Sequence, residues 1–380
     1  PAVADVGKVD GTIAPDAKPW DVVSQMSPEL AARLSDEDRA VIAKSLADLQ
    51  AGVTAGGLDH VPVFGYLSLR KDNYRELGRE NQADVLPGRD VVGASLDGHN
   101  VAPVASTVYR GTPEHPGVVA GLSPQEGAQT PGVILKVPLD RAEELLGRLY
   151  AREYFAEDDL APKEGGLQAM YKPIVAPVTA EDGSIVPALV FITNPDSDKA
   201  LVENGFLKDK DGKIDVARLA WLMGAEGGFD TLGGVRGGAA LTYWENSYLA
   251  ARREAGQPVD PQIQQAIALA RLVPSPAALD VIMQGVEAGD ERMILIHEAL
   301  LKTFEGAAVP IDLVEHQRPA DEQVIQRHPT GTASAEEQVA RLLEHAQKLA
   351  ASDKAGSEAP TAVTAVASET PGEAPQAMKM

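Results

Sequence analysis

One acidic residue stands at the end of a predicted apolar helix stripe. The stretch Asp140–Glu153 has helical periodicity, and its apolar positions are Ala142, Leu145, Leu146 and Leu149. One further turn reaches Glu153, so its carboxylate is predicted to face the interior. A buried carboxylate has a raised pKa and can exchange protons near neutral pH, which is typical of a general base. The alternative is that Glu153 lies at a frayed helix end and turns to solvent or pairs with a basic side chain.

A strand that leads into a tight loop is a second candidate site. Val61–Phe64 reads as a strand, and Gly65–Leu69 follows it directly. Such a loop leaves backbone N–H groups without strand partners, and the Ser68 hydroxyl adds a donor, so the loop suits a substrate carboxylate. Many strands also end in a similar turn that binds nothing.

An arginine at a rigid turn is the third candidate. The segment Ser106–Gly117 carries Arg110 from a predicted strand into a turn rich in proline and glycine. A guanidinium fixed in this way can bind a carboxylate through two hydrogen bonds. A structural ion pair is the alternative interpretation.

The charge and hydropathy of the chain exclude several classes of partner. Its 380 residues contain 34 Lys+Arg and 56 Asp+Glu, which gives a formal net charge of −22. Nucleic acids and acidic membranes attract basic surfaces, so neither is a predicted partner. We find neither an apolar run of the ~20 residues that a membrane span needs nor a secretion signal in the first twenty residues, so a soluble, cytoplasmic protein is predicted.

The residue types that bind metals are scarce. The sequence has no cysteine, which excludes disulfides, thiolate metal sites and a cysteine nucleophile. Its seven histidines include no pair at the spacing that places two imidazoles on one helical face. The sequence therefore predicts neither a metal site nor a cofactor.

Short β-like segments fill the middle of the chain and helical segments flank them, which indicates an α+β fold. The predicted strands include 61–66, 101–109, 118–122 and 132–137. The predicted units are a flexible arm (1–20), a helical extension (21–57), a catalytic domain (58–255) with an acidic insertion (155–169), a second helical extension (256–330), an amphipathic helix (331–351) and a disordered tail (352–380).

These segments resemble motifs of the ChaC family of γ-glutamylcyclotransferases, in the family's order. Phe64–Leu69 resembles the family's F-G-Y-G-S-L, and Ser106–Gly117 closely resembles S-x-x-x-R-G-T-P-E-x-P-G. Leu149–Glu153 falls on the family's L-D-x-R-E, and Gly237–Leu249 resembles its closing helix G-x-N-x-x-Y-L. The resemblance covers about residues 60–253.

The resemblance implies a fold and an activity. The expected fold is a γ-glutamylcyclotransferase-like mixed β-barrel or sheet with surrounding helices, helical additions and disordered termini. The expected activity is degradation of glutathione to 5-oxoproline and Cys-Gly without a cofactor, with Glu153 as the catalytic acid and base. The substrate-binding residues that the resemblance implies are Tyr66, Leu67, Ser68, Leu69, Arg110, Tyr171 and Tyr248.

The sequence departs from the family pattern at three points. Leu67 stands where the family has glycine, so a position that needs positive φ would require a remodelled loop. The acidic insertion 155–169 separates Glu153 from Tyr171, and the asparagine of the closing helix is missing.

The insertion and the added termini resemble those of ChaC-like effectors that plant-pathogenic bacteria deliver into host cells. That resemblance implies an enzyme of the host cytosol that host thioredoxin activates. Because the chain has no cysteine, such activation must be non-covalent on its side.

Two other interpretations stay open at this point. The chain could be a catalytically impaired, cyclotransferase-like binding module, or a cyclotransferase for another γ-glutamyl amine or peptide.

Overall fold

A closed five-stranded β-barrel lies at the centre of the computed structural model. The structure describes residues 8–9, 12–13, 18–69, 91–111, 116–153, 171–194, 207, 213–224, 240–304 and 334–357. Two short strands, β1 (Lys8–Val9) and β2 (Thr12–Ile13), pair with each other near the start of the chain. The barrel strands are β3 (His60–Gly65), β4 (Val91–Gly111), β5 (Pro116–Pro138), β6 (Tyr171–Ala180) and β7 (Ile185–Thr193).

The barrel follows the order β3-β5-β4-β6-β7 and closes where β3 pairs with β7. This closing pair is parallel, with Val63 opposite Leu189, whereas the other neighbours are antiparallel. The α+β prediction with a mixed barrel is therefore confirmed.

Two long strands replace the several short ones that the sequence pattern indicates. The predicted pieces 118–122 and 132–137 are both parts of β5, and 101–109 is part of β4. The ladder between these strands shifts register between Asp97 and His99, where Gly98 has a φ of 73°. A bulge bends the ribbon without ending it, so glycine and proline here mark bends rather than strand ends.

The helices surround this barrel. They are α1 (Pro28–Arg33), α2 (Asp36–Ala55), α3 (Ala142–Glu153), α4 (Val216–Gly224), α5 (Ala240–Tyr243), α6 (Ala250–Glu254), α7 (Pro261–Ala270), α8 (Pro276–Glu287), α9 (Glu291–Thr303) and α10 (Ala335–Ser357). A π-helix, Trp244–Leu249, joins α5 to α6. The last helix runs past the predicted boundary at 351. Among the described helices, none is both long and apolar enough to cross a membrane.

The N-terminal residues pack on α3. The Asp21 N–H donates to Glu143 Oε1 at 3.0 Å, and the Ser45 and Tyr150 hydroxyls lie 2.7 Å apart. A Cβ on Gly147 would overlap with Gln25, so this glycine permits a close approach. Glu143 therefore contacts the N-terminal segment, and Asp140 lies in a 3-10 turn that precedes α3.

The buried Ser45–Tyr150 hydrogen bond is expected to stabilise the position of α3. Ser45→Ala or Tyr150→Phe should each lower the free energy of unfolding by roughly 1–3 kcal/mol, since each leaves a buried hydroxyl without this partner. The double variant should lose less than the sum, because both changes remove the same bond. Denaturant unfolding of the four proteins measures this coupling, and strict additivity would contradict it.

The chain path brings the end of α3 to one end of the barrel. Strand β5 ends at Pro138 opposite His60, the first residue of β3, and the 3-10 turn Leu139–Arg141 leads from there into α3. The Tyr150 ring packs edge-on against Phe191 near the end of β7, with centroids 5.2 Å apart. Helix α3 thus starts beside the first residue of β3 and reaches the end of β7 at Tyr150, so we infer that Glu153, one turn further, lies toward the ends of β3 and β7. We call this region the site end of the barrel.

Candidate active site

Glu153 is buried at the site end of the barrel. Its exposed fraction is 6%, and it shares the buried face of α3 with Leu146 and Leu149. The inward orientation that the helical periodicity predicts is therefore confirmed. Burial in an apolar environment raises the pKa of Glu153, and the Arg152 guanidinium, whose Nε lies 3.5 Å from Oε1, partly offsets this rise.

The loop after β3 places Leu67 in the left-handed backbone region. Residues Leu67–Leu69 form a 3-10 turn in which the Leu69 N–H donates to the Tyr66 carbonyl at 2.9 Å. Leu67 has a φ of 42° and is 1% exposed. Leucine therefore adopts the left-handed conformation that glycine would adopt without strain, and its buried side chain stabilises that conformation.

The three tyrosines predicted to bind substrate are buried, and each hydroxyl contacts the backbone. Tyr66 donates to the Phe191 carbonyl at 3.4 Å, and Tyr171 donates to the Ala120 carbonyl at 2.9 Å. The Tyr248 hydroxyl accepts from the Asp260 N–H at 3.1 Å. Burial raises the pKa of Tyr248, and the Asp260 N–H partly offsets this rise, which favours a neutral phenol. These hydroxyls thus stabilise the frame of the site, and a role in substrate contact stays a prediction.

The structure brings several predicted residues to the site end and leaves others undescribed. Tyr66 reaches β7 through its bond to Phe191, and Tyr171 pairs with Thr193 at the end of β7. The π-helix that carries Tyr248 contacts the Leu67–Leu69 turn.

Some predicted residues lie partly or wholly outside the described residues. Ser68 lies in the 3-10 turn and Arg110 in β4, but their side chains are outside the described residues. The insertion 155–169 lies outside them entirely.

Sequence reasoning missed three polar side chains near this end of the barrel. Thr193, Ser247 and Trp244 are buried, and each has a side-chain polar atom without a hydrogen-bond partner among the described residues. Trp244 and Ser247 lie within the Gly237–Leu249 segment that resembles the closing helix, which could have indicated them, whereas none of the segments quoted above includes Thr193. Within the described ranges, no cluster of three or more His, Asp or Glu side chains could hold a metal ion.

Solved structures similar to the chain overlap it loosely. One is a γ-glutamyl cyclotransferase specific to glutathione from yeast, with 17% identity, a TM-score of 0.35, and coverage of 55% of this chain and 94% of that chain. Another is an uncharacterised protein from Homo sapiens, with 16% identity, a TM-score of 0.25, and coverage of 55% and 97%. A third is YkqA from Bacillus subtilis, with 20% identity, a TM-score of 0.23, and coverage of 37% and 42%.

The sequence itself matches a family model. No curated protein matches the sequence. Residues 99–209, however, match the model of the ChaC-like protein family, and this stretch includes Arg110, Glu153 and Tyr171. The resemblance predicted from the motifs is therefore confirmed over these residues, which are similar to the ChaC-like family.

Proposed function

We propose that the chain is a γ-glutamylcyclotransferase that degrades glutathione to 5-oxoproline and Cys-Gly. The observation that carries the proposal is Glu153, a buried carboxyl group with a raised pKa at the site end of the barrel. It lies within the ChaC-like match, and the Leu149–Glu153 motif resembles the family segment whose glutamate is catalytic. A carboxyl group of this kind suits proton transfer near neutral pH.

The proposed reaction needs no external nucleophile. The α-amine nitrogen of the γ-glutamyl group attacks its own γ-carbonyl carbon and closes a five-membered lactam, and the bond from that carbon to the cysteinyl nitrogen breaks. Glu153 accepts the proton that the attacking nitrogen loses and returns it to the leaving nitrogen. Since both reacting groups belong to one molecule, much of the catalysis is positioning.

The remaining predicted residues are proposed to bind and orient the substrate. The loop residues Tyr66, Leu67, Ser68 and Leu69 would contact the substrate carboxylate or the developing oxyanion, and Arg110 would orient a carboxylate. The rings of Tyr171 and Tyr248 would line the pocket.

Release of 5-oxoproline from glutathione by the purified protein tests the proposal, with Glu153→Gln as the control. A Glu153→Gln variant that turns over as fast as wild type would contradict the assigned role. Stoichiometric glutathione binding without product would favour the binding module. Product formation from other γ-glutamyl amines or peptides, but not from glutathione, would show that the enzyme acts on a different γ-glutamyl substrate.

Activation by host thioredoxin is part of the proposal and rests on the resemblance to bacterial effectors. The chain has no cysteine, so a mixed disulfide between the two proteins is impossible. A thioredoxin variant with both redox cysteines replaced by serine should therefore activate as well as the native one. Equal turnover with and without thioredoxin would contradict activation by thioredoxin. It would also contradict the proposal that the protein acts in the host cytosol.

The pH dependence of kcat/KM should change when Arg152 is replaced. If Glu153 must be deprotonated in the free enzyme, kcat/KM falls on the acidic side as Glu153 takes up a proton. Arg152 lowers the raised pKa of Glu153, so Arg152→Gln should move the acidic limb to higher pH. Arg148→Gln is the matched control, since Arg148 lies on the same helix and pairs with Glu144. An unshifted limb in Arg152→Gln would contradict this assignment.

The Leu67→Gly variant should keep its activity and lose stability. Glycine adopts the left-handed conformation without strain, which should stabilise the folded state by about 1–2 kcal/mol. Removal of the buried leucine side chain should destabilise it by roughly 2–5 kcal/mol. The net loss should be about 1–3 kcal/mol, with 5-oxoproline release within a few fold of wild type because the loop already has the conformation of glycine. A large rise in turnover would instead show that Leu67 impairs catalysis.

A further inference from the structure

Three buried hydrogen-bonding atoms lack partners among the described residues near the site end. They are Thr193 Oγ1, Ser247 Oγ and Trp244 Nε1, on side chains that are 4%, 1% and 0% exposed. Buried polar atoms are nearly always hydrogen-bonded, and each exception destabilises the fold. A bound ligand with hydrogen-bond acceptors would give these donors partners.

Thr193 lies beside the residues that frame the site. It is the last residue of β7 and pairs with Tyr171, so the two side chains share a face of the barrel. The Tyr171 hydroxyl reaches the Ala120 carbonyl, and a Cβ on the next residue, Gly121, would overlap with Thr193 Oγ1. Phe191, on the same face of β7, contacts Tyr150 of the helix that ends at Glu153. The Thr193 hydroxyl therefore lies at the same end of the barrel as Glu153.

Ser247 and Trp244 lie on the π-helix, which contacts the Leu67–Leu69 turn. π-helices are rare and often occur at functional sites. Other polar groups on this helix are already paired: Glu245 forms an ion pair with Arg271, and the Tyr248 hydroxyl accepts from Asp260. Ser247 Oγ and Trp244 Nε1 are therefore the hydrogen-bonding groups of this helix that remain available for a ligand, among its described side chains.

We propose that Thr193, Ser247 and Trp244 donate hydrogen bonds to the carboxylate and amide oxygens of the γ-glutamyl substrate. All three carry donors, and these substrate oxygens are acceptors. The inference rests on the proposed function, which supplies the substrate class. All three side chains are buried in the described structure, so substrate access to them requires a local rearrangement of the site.

The test removes each hydroxyl without changing the packing. Thr193→Val and Ser247→Ala should each raise KM for glutathione at least tenfold, with a smaller change in kcat. Their unfolding midpoints should stay equal to wild type or rise, because neither variant loses a protein hydrogen bond. Activity is measured as 5-oxoproline release in the presence of thioredoxin, and glutathione affinity is measured by calorimetry in the Glu153→Gln background.

Matched controls separate a substrate contact from a structural role. The Thr130 hydroxyl donates to the His99 carbonyl at 2.8 Å, so Thr130→Val should lower the midpoint and leave KM unchanged. Trp221 Nε1 is also buried without a partner, but its ring packs on Phe304 of the helical region, so Trp221→Phe should leave KM unchanged whereas Trp244→Phe raises it.

The outcomes distinguish this inference from the proposed function. Unchanged KM and affinity in Thr193→Val and Ser247→Ala, with an active wild type, would overturn the inference alone. A fall in midpoint that parallels the loss of activity would also overturn it, since the hydroxyls would then act through packing. A wild type that neither binds nor converts glutathione would overturn the proposed function and this inference with it.

Discussion

Glu153→Gln is expected to remove activity and to stabilise the fold. The amide has nearly the shape of the carboxyl group but cannot accept or return a proton, so kcat should fall by about 10²–10⁴, the usual contribution of general acid–base catalysis. Glutathione affinity should change little, because the substitution leaves the shape of the pocket intact. A loss confined to KM would contradict the proton-transfer role.

The stability gain follows from the raised pKa of Glu153. Below the pKa of the unfolded state both states are protonated, and Glu153 contributes nothing to the pH dependence. As pH rises above that value, the unfolded chain loses its proton first, so the folded state is progressively destabilised until the higher folded pKa is passed. The Glu153→Gln variant has no carboxyl group to titrate at this position, so its folded state avoids this destabilisation. Its unfolding midpoint should therefore exceed that of wild type at neutral pH, and the difference should shrink on acidification.

Glu144→Gln is the matched control on the same helix. Glu144 is partly exposed and pairs with Arg141 and Arg148, so its removal breaks partly exposed ion pairs, which contribute little to stability. Activity should be unchanged and stability nearly so. A stability gain in Glu144→Gln as large as in Glu153→Gln would contradict burial as the cause.

The Arg252→Met variant is expected to show the largest loss of stability. Arg252 is 7% exposed, donates to the Gln129 carbonyl at 3.0 Å and to Gln257 Oε1 at 2.6 Å, and also bonds Asn100 Oδ1. Its guanidinium carbon lies 5.6 Å from the centre of the Tyr248 ring. This side chain thus joins the helical segment after the π-helix to the β4–β5 ribbon.

Removing the guanidinium leaves several acceptors without a donor. Hydrogen bonds from a charged group contribute about 1.5–3 kcal/mol each, so Arg252→Met should cost about 3 kcal/mol or more and lower the unfolding midpoint by roughly 5 °C or more. Arg252→Lys should recover little, because an ammonium cannot reproduce the planar arrangement of donors. Arg253, its exposed neighbour, provides the control: Arg253→Met should leave the midpoint within about 1 °C of wild type. Equal midpoints for both methionine variants would contradict the structural role of Arg252.

The local elements of the fold were predictable from the sequence because their signals are local. Ser27 and Ser35 cap α1 and α2, as their positions before Pro28 and Asp36 indicate. The stripe on α3 correctly placed Glu153 inside. Closure of the barrel through the parallel β3–β7 pair was not readable from periodicity, since strand pairing over such distances depends on the whole chain. The continuity of β4 and β5 was missed because glycine and proline also occur at bulges.

The site was predictable to the extent that its motifs are contiguous. The Phe64–Leu69 and Leu149–Glu153 segments carry their residue types within a few positions, so both were found. The hydrogen bonds of Tyr66, Tyr171 and Tyr248 to distant backbone groups depend on tertiary packing. The same holds for Thr193 and Ser247, whose lack of partners is a property of their surroundings and leaves no trace in the local sequence.

The most direct test of intramolecular cyclisation follows the oxygen atoms of the product. Glutathione is incubated with the protein and thioredoxin in water enriched in ¹⁸O, and the products are analysed by mass spectrometry. We predict equal amounts of Cys-Gly and 5-oxoproline with no ¹⁸O in the 5-oxoproline, because the amine of the substrate displaces the leaving group. Glutamate that carries one ¹⁸O atom would show hydrolysis by water and would contradict the proposed reaction.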